Sequence, residues 1–356
     1  MTIIHVISEP NGGGAELLVR ELNSRLNAEG VVSRVVYLTN PRRLPLLDNE
    51  YELGLTTPRD LRAGILLRQF ILRSFDRDLV IHSHLTYPLY YVAVLPWPKR
   101  VRLVHTEHNT HNRRRDIALL RPIERRIYAR FDAIVCISDG VHDTLANWIG
   151  TGLDRERLVT IPNGARLFAM RAGEALQADE CGLTIISIGS LSRQKGFDIS
   201  LAAVAKARSL VRRYIIVGEG NDRHLLEARV RDLGLADVVD MVGWQDNIGD
   251  WLGYADLMLI PSRWEGFGLV AIEALSTGLP IVASDVSGLG DILRGCEAVD
   301  LVSPVEPEVI AKAIERFAQR DDEQIRHLRS KARSHAEIYS LGSMADAYAN
   351  LYETLT

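Results

Sequence analysis

The sequence predicts an α/β protein made of two doubly wound parallel-sheet domains in tandem. Three features support this. Short β-branched apolar runs alternate with segments of helical period from one end of the chain to the other. Most of those runs are uninterrupted rather than alternating, as strands covered by helices on both faces should be. Turn residues gather, and periodicity lapses, once near the middle, over residues 162–173. Strand–helix–strand alternation on this scale points to parallel sheets.

Along the chain, first-half strands are read at residues 3–7, 35–38, 79–82, 102–106, 133–137 and 158–161. Second-half strands are read at 184–188, 214–217, 239–242, 257–260 and 281–284, with a fainter one at 298–301. A helix over 15–28 begins after a glycine run and ends at Gly30; Pro122 opens another; a third starts near Leu269. The expected domains are 1–165 and 166–342, with a tyrosine-bearing helix over 343–356 packing back on the first. A chain of 356 residues exceeds what one core usually organises, and two such domains imply a central cleft, where ligands favour strand carboxyl ends.

Composition is that of an ordinary globular protein, 47% apolar and 25% charged. The net charge of −4 argues against nucleic acid as a partner. It is uneven: 22 basic against 18 acidic residues over 1–165, and 20 against 28 over the remainder. Cys136, Cys181 and Cys296 are far apart and unpaired in spacing, so they read as reduced cysteines. MTIIHVISEP lacks the pattern of a signal peptide, and no segment approaches the roughly 20 apolar residues of a membrane span. The expected location is cytoplasmic, with peripheral contact at the inner face of the cell membrane.

The sharpest chemical signal is the string from Ser262 to Gly278, which contains Glu265, Gly266, Phe267, Gly268, Leu269, Val270 and Glu273. It follows a strand ending at Pro261. Gly266 and Gly268 permit a tight turn, after which the N–H groups of Gly268, Leu269 and Val270 point out of a helix start, a favourable place for a diphosphate. Glu265 falls just before that helix and Glu273 about a turn inside it, both placed to accept hydrogen bonds from sugar or ribose hydroxyls. Read singly, Glu265 is a cap and Glu273 a solvated helical glutamate; the whole string is what carries the functional reading.

That string resembles the E-x7-E element of retaining glycosyltransferases of the GT-B fold, in particular family 4 (glycosyl transferases group 1). The resemblance runs through nearly the entire chain. Asn163-Gly164 looks like the inter-domain turn, and SIGSLSRQKGFD (187–198) like the first loop of the second domain, with Lys195 at the position of the lysine that holds the donor diphosphate. VGEGNDR (217–223, with Gly218), VGWQDN (242–247, with Trp244) and ASDVSG (283–288) resemble its later loops. GGGAE (12–16, with Gly13 and Gly14) is similar to the glycine loop of the first domain, and TEHN (106–109) puts His108 where the family has an active-site histidine. Two positions depart: Ser190 stands where the family often has arginine, leaving Arg193 as a substitute for the missing charge, and Asp291 stands where many members have glutamate.

The resemblance implies two Rossmann-like domains, the second binding a nucleotide-sugar (UDP-sugar favoured, GDP-sugar as the alternative) and the first a glycan or polyprenyl-diphosphate-linked acceptor. It implies a hexosyltransferase of surface polysaccharide synthesis. Lys195 then stabilises the departing diphosphate, Glu265 holds donor-sugar hydroxyls, Glu273 the ribose, and His108 orients the sugar or acceptor. Trp244 reads either as a base contact or as a locally packed loop residue. The alternatives are a small soluble acceptor, epimerase chemistry on the same fold, or a non-catalytic nucleotide-sugar-binding subunit. No G-x-G-x-x-G fingerprint appears, and no cofactor is expected.

His82, His84, His105, His108 and His111 concentrate at strand ends, yet without metal-ligand spacing, and hydrogen-bonded histidines are the commoner outcome. Asp76-Arg77-Asp78 precedes a strand and reads as loop acid; no essential metal is expected. From Arg113 to Arg130 there are seven arginines against Asp116 and Glu124. A helix there would carry Ile123, Ile127 and Phe131 on one face and Arg126 and Arg130 on another. It reads either as a solvated face or as a surface for anionic lipid or a diphosphate-bearing lipid acceptor.

Overall fold

The computed structural model describes residues 1–10, 13–75, 78–109, 112–150, 154–170 and 182–355. Asn11, Gly12, Asp76, Arg77, His111 and Cys181, singled out above, lie outside the described residues, as does the side chain of Arg113. The chain divides into two compact units: unit 1 is Met1–Gly164 with Leu341–Thr356, and unit 2 is Ala165–Ser340.

Unit 1 holds a seven-stranded parallel sheet: β1 (Thr2–Ile7), β2 (Ser33–Thr39), β3 (Glu50–Leu55), β4 (Leu79–His84), β5 (Val101–Glu107), β6 (Ala133–Cys136) and β7 (Leu158–Thr160), in the order β3-β2-β1-β4-β5-β6-β7. Its helices are α1 (Gly14–Ala28), α2 (Ala63–Ser74), α3 (Thr86–Val94), α4 (Arg121–Tyr128), α5 (Asp139–Ile149) and, from the other end of the chain, α13 (Leu341–Thr354). β1 and β4 are buried at every residue, which is why their apolar positions do not alternate with solvent-facing ones, although each also buries histidine. The sequence predicts six strands here, and the described residues form seven. The extra one, β3, sits at the sheet edge beside β2 and alternates in burial along EYELGL, so it lacks the continuous apolar run that marks the others.

α1 buries Leu18, Leu22 and Leu26 along one stripe, and α13 buries Met344, Tyr348 and Tyr352 at the same four-residue spacing. Both stripes enter one cluster with Ile3, Val80 and Val104 from the sheet and Ile161 just beyond β7. Each large side chain so buried contributes about 1.5–3 kcal/mol. The C-terminal helix is thus part of unit 1's core.

Unit 2 holds β8 (Leu183–Ile188), β9 (Val211–Val217), β10 (Val239–Gly243), β11 (Leu257–Ile260), β12 (Ile281–Ser284) and β13 (Val299–Val302), ordered β10-β9-β8-β11-β12-β13 and parallel throughout. Its helices are α6 (Phe197–Lys206), α7 (Arg223–Asp232), α8 (Ile248–Tyr254), α9 (Leu269–Ser276), α10 (Leu289–Leu293), α11 (Pro307–Ala318) and α12 (Asp322–Ile338). Strand order reverses between β1 and β4 in unit 1 and between β8 and β11 in unit 2. At such a switch point the connections leave in opposite directions and open a crevice beyond the carboxyl ends of the strands.

Candidate functional site

In unit 2 the loops leaving β8 and β11 flank the switch point, and each supplies one of the predicted charged residues. Lys195 closes a short 3-10 turn, Arg193–Lys195, and Glu265 lies between β11 and α9. Their side chains meet: Lys195 Nζ donates to Glu265 Oε2 at 2.7 Å, with side chains 18% and 11% exposed. The buried Ser262 hydroxyl donates to the same oxygen at 3.2 Å. Arg263 clamps the two loops further, its guanidinium donating to both Asp198 oxygens at 2.8 and 2.7 Å and to the Arg193 carbonyl at 2.8 Å. That clamp holds the Asp198 carboxyl below its ordinary range.

Glycines bring these loops close. Gly218 lies over the first loop so closely that a Cβ there would stand 1.9 Å from the Gly189 carbonyl oxygen. Gly268 caps α9 in a left-handed conformation, φ 90°, and a Cβ would meet Leu289 Cδ1 at 2.7 Å. Among the described residues no side chain caps α9; the Ala271 N–H turns back to the Gly268 carbonyl at 2.8 Å. Gly266, Phe267, Leu269 and Val270 line the approach to this start, with Phe267 buried against Tyr339. Glu273 is half-buried on α9. Ser190 is exposed, its hydroxyl 3.3 Å from that of Ser192; Arg193 is exposed too. Trp244, which follows β10, is 73% exposed and donates to Asp246 at 3.2 Å.

Unit 1 gathers histidines at the corresponding strand ends. Residues two apart on a strand share a face, so His82 and His84 project together, their ring centroids 4.0 Å apart. His82 bonds Tyr352 Oη at 2.7 Å and Thr106 Oγ1 at 2.7 Å. His84 bonds His5 and His108, Nε2 to Nδ1 at 3.0 Å and Nδ1 to Nε2 at 3.2 Å. His105 faces the other way, against Tyr128, Phe131 and the Ser83 hydroxyl. Burial disfavours the imidazolium throughout: His5 and His105 fall to about 3, His108 to about 4, and His82 and His84 well below the ordinary value.

His5, His82 and His84 could in principle share a metal ion, since one nitrogen from each lies within 4.8 Å of the others. Every nitrogen of the three except His5 Nε2 already has a protein partner, however. The arrangement is that of hydrogen-bonded neutral rings. Gly13 and Gly14 stand at the start of α1; Gly14 is open, with nothing among the described residues within 4 Å of a Cβ there.

The arginine-rich segment is not uniform. Arg114 bonds Glu124 and Tyr90 at 2.8 Å each, and Arg115 bonds Glu107 at 2.8 Å with a side chain 7% exposed. α4 buries Glu124 and Tyr128, and Phe131 beyond it is buried too, whereas Ile123 is 52% exposed. The expected grouping of Ile123 with Phe131 therefore fails, because the buried stripe is set by the Glu124 and Tyr128 hydrogen bonds to Tyr90, Trp148 and Glu107. Outside stand Ile117, Leu119 and Ile123 among Arg121, Arg125 and Arg126. Among the described residues no helix is long and apolar enough to cross a membrane.

Comparison with known proteins gives two family matches. Residues 12–168 match glycosyltransferase family 4, and residues 173–335 match glycosyl transferases group 1. A D-inositol 3-phosphate glycosyltransferase of Acidothermus cellulolyticus is 31% identical over 357 residues, covering 86% of this chain and 78% of that protein. The lipopolysaccharide core biosynthesis mannosyltransferase LpsB of Rhizobium meliloti is 32% identical over 196 residues, 52% of this chain and 55% of that one. The chain spans about half the length of several curated relatives it matches. HepE of Anabaena, solved with UDP, superposes with a TM-score of 0.81 at 19% identity, covering 99% of this chain and all of that one. At that identity the likeness concerns the fold alone, which is GT-B.

Proposed function

This chain belongs to the group 1 glycosyl transferases of family 4, and on that footing we propose that it transfers a sugar, with retention, from a nucleotide-sugar to a hydroxyl of a glycan or lipid-linked acceptor. The observation that carries the reading is the Lys195–Glu265 pair at the unit 2 switch point, beside the uncapped start of α9. A cation, free N–H groups and a hydroxyl-accepting carboxylate are what a sugar diphosphate requires.

In this reading Lys195 and the N–H groups from Gly268 to Val270 take the negative charge that grows on the leaving diphosphate. Glu265 exchanges part of its bond with Lys195 for donor-sugar hydroxyls, and Glu273 takes the ribose. The anomeric carbon–phosphate oxygen bond breaks, the bond to the acceptor oxygen forms on the same face, and the acceptor proton passes to the departing phosphate. His108 orients the acceptor or sugar without titrating near neutral pH. No metal is assigned a part.

The test is a thermal-shift screen of the full chain against UDP-, GDP- and ADP-sugars, UDP first because HepE was solved with it. A donor at a hundred times its Kd adds about 2.7 kcal/mol to stability. No shift from any of them overturns the reading. Lipid contact, the second part of the proposal, is assigned to Leu119, Ile123, Arg121, Arg125 and Arg126. Replacing Arg125 and Arg126 by alanine should weaken binding to phosphatidylserine vesicles by about 1 kcal/mol each; vesicle sedimentation that is unchanged removes that surface from the proposal.

A further inference from the structure

His108, His84 and His5 form a line of imidazoles, from just beyond β5 across the adjacent strands β4 and β1. The contacts are His108 Nε2 to His84 Nδ1 at 3.2 Å and His84 Nε2 to His5 Nδ1 at 3.0 Å. At each contact one nitrogen donates and the other accepts, because a neutral imidazole carries one N–H and one lone pair. The choice at one contact passes through the ring to the next. Only two arrangements satisfy both: Nδ1–H on all three rings, or Nε2–H on all three.

The inner end decides between them. His5 is fully buried, and among the described residues its Nε2 has no hydrogen-bond partner. Nε2–H on all three rings would strand a buried donor there, and an orphaned buried N–H is the costlier outcome. Nδ1–H on all three strands only a lone pair, and under-used acceptors are tolerated more readily than orphaned N–H groups. His82 stays outside the line, since Tyr352 and Thr106 take both its nitrogens. Burial keeps the three rings neutral, so no extra proton breaks the coupling.

We propose that His84, backed by His5, is a positioning residue that sets the tautomer of His108, so that His108 offers Nδ1–H as a hydrogen-bond donor to an oxygen of the bound sugar or acceptor. The kinetic half of this inference rests on the reading of His108 as substrate-facing; the tautomer half does not.

The experiment is a long-range 1H–15N correlation spectrum of the full chain labelled with 15N-histidine at pH 7, assigned with single histidine variants. The expected result is Nδ1-protonated His5, His84 and His108. Nε2–H forms, mixed tautomers, an imidazolium or metal-shifted resonances in these rings overturn it. In His84→Phe the coupling is cut, and His108 should show a mixture of tautomers. In His84→Asn an amide N–H stands near the lost Nδ1–H, and the Nδ1–H form of His108 should return.

Turnover is read as nucleotide release from whichever of UDP-, GDP- or ADP-glucose the wild type consumes fastest. His84→Phe should lower kcat about tenfold, the worth of one orienting hydrogen bond, with the donor KM little changed, and His84→Asn should regain most of it. Equal losses in both variants, or none in His84→Phe, overturn the positioning role. His108→Ala with wild-type turnover would instead sink the substrate-facing reading, leaving the spectra to decide the tautomers.

Discussion

The two units share a strand order around their switch points and differ in what they place at the carboxyl ends of their strands. Unit 1 packs five imidazoles into its sheet, His5, His82, His84, His105 and His108, each at most 9% exposed. Unit 2 places glycines, a lysine and carboxylates at its strand ends, and its own histidines lie outside the core: His224 and His327 are exposed and His335 half-buried. One switch point is organised by neutral hydrogen bonding inside the sheet, the other by backbone approach and charge in its loops. One doubly wound frame can therefore present either polar rings or open N–H groups, according to whether the strand ends or the loops carry the chemistry.

Acid should separate the units most strongly. All five histidines have folded-state values below 6.5, about 3 for His5 and His105 and about 4 for His108. The unfolded chain therefore takes up protons first. Their stabilising contribution is complete above pH 6.5 and is lost as pH falls from there toward those lower values. Each such histidine costs about 1.4 kcal/mol per pH unit over that window, so between pH 7 and 5 unit 1 loses several kcal/mol. Hydrogen exchange should show β4 and β5 opening before β8 and β11; equal opening in both sheets would falsify the contrast.

Next in size is Lys195→Ala. On the role proposed for Lys195, its removal should lower kcat about 10²–10³-fold. The melting temperature should fall as well, because Glu265 is buried and would keep the Ser262 hydroxyl but lose its cation. Glu273→Ala should act on donor KM instead. Wild-type transfer kinetics in both variants would remove the donor assignment from unit 2.

Legibility in the sequence follows the same division. Apolar runs such as those opening β4, β8 and β11 are local signals, and they suffice to locate these strands. β3 escapes such a reading because EYELGL is an edge strand with an alternating, half-polar pattern. The E-x7-E string announces the start of α9, but not that Lys195 and Glu265, 70 positions apart, touch, nor that Ser262, Asp198 and Arg263 hold their loops. Those contacts arise from sheet order, which no local pattern encodes. The histidines are visible as residues at strand ends; their coupling into a line depends on the register of β1, β4 and β5. Counting the seven arginines of 113–130 as one basic segment is too coarse, because Arg114 and Arg115 turn inward to Glu124 and Glu107. A local signal for part of this exists: Glu124 and Tyr128 are four apart, so they share one face of the helix that Pro122 opens. An acid on that face calls for a cation, but spacing alone does not say which arginine it takes.

The smallest effects come from glycine, and they bear on each unit separately. Gly218→Ala in unit 2 forces a Cβ against the Gly189 carbonyl at 1.9 Å, at φ 139°. Backbone must move, and a loss of more than about 2 kcal/mol in urea unfolding is expected, with weaker donor binding as the first loop shifts. Gly14→Ala in unit 1 meets nothing among the described residues within 4 Å and lies in the first turn of α1 at an ordinary φ. Alanine there should leave the melting temperature unchanged or raise stability by up to about 1 kcal/mol, since glycine is the poorer helix residue. If that open space is where substrate approaches the start of α1, turnover should fall while stability does not. A variant with both unchanged would make Gly14 a turn residue only, and would leave the histidines as unit 1's sole claim on the substrate.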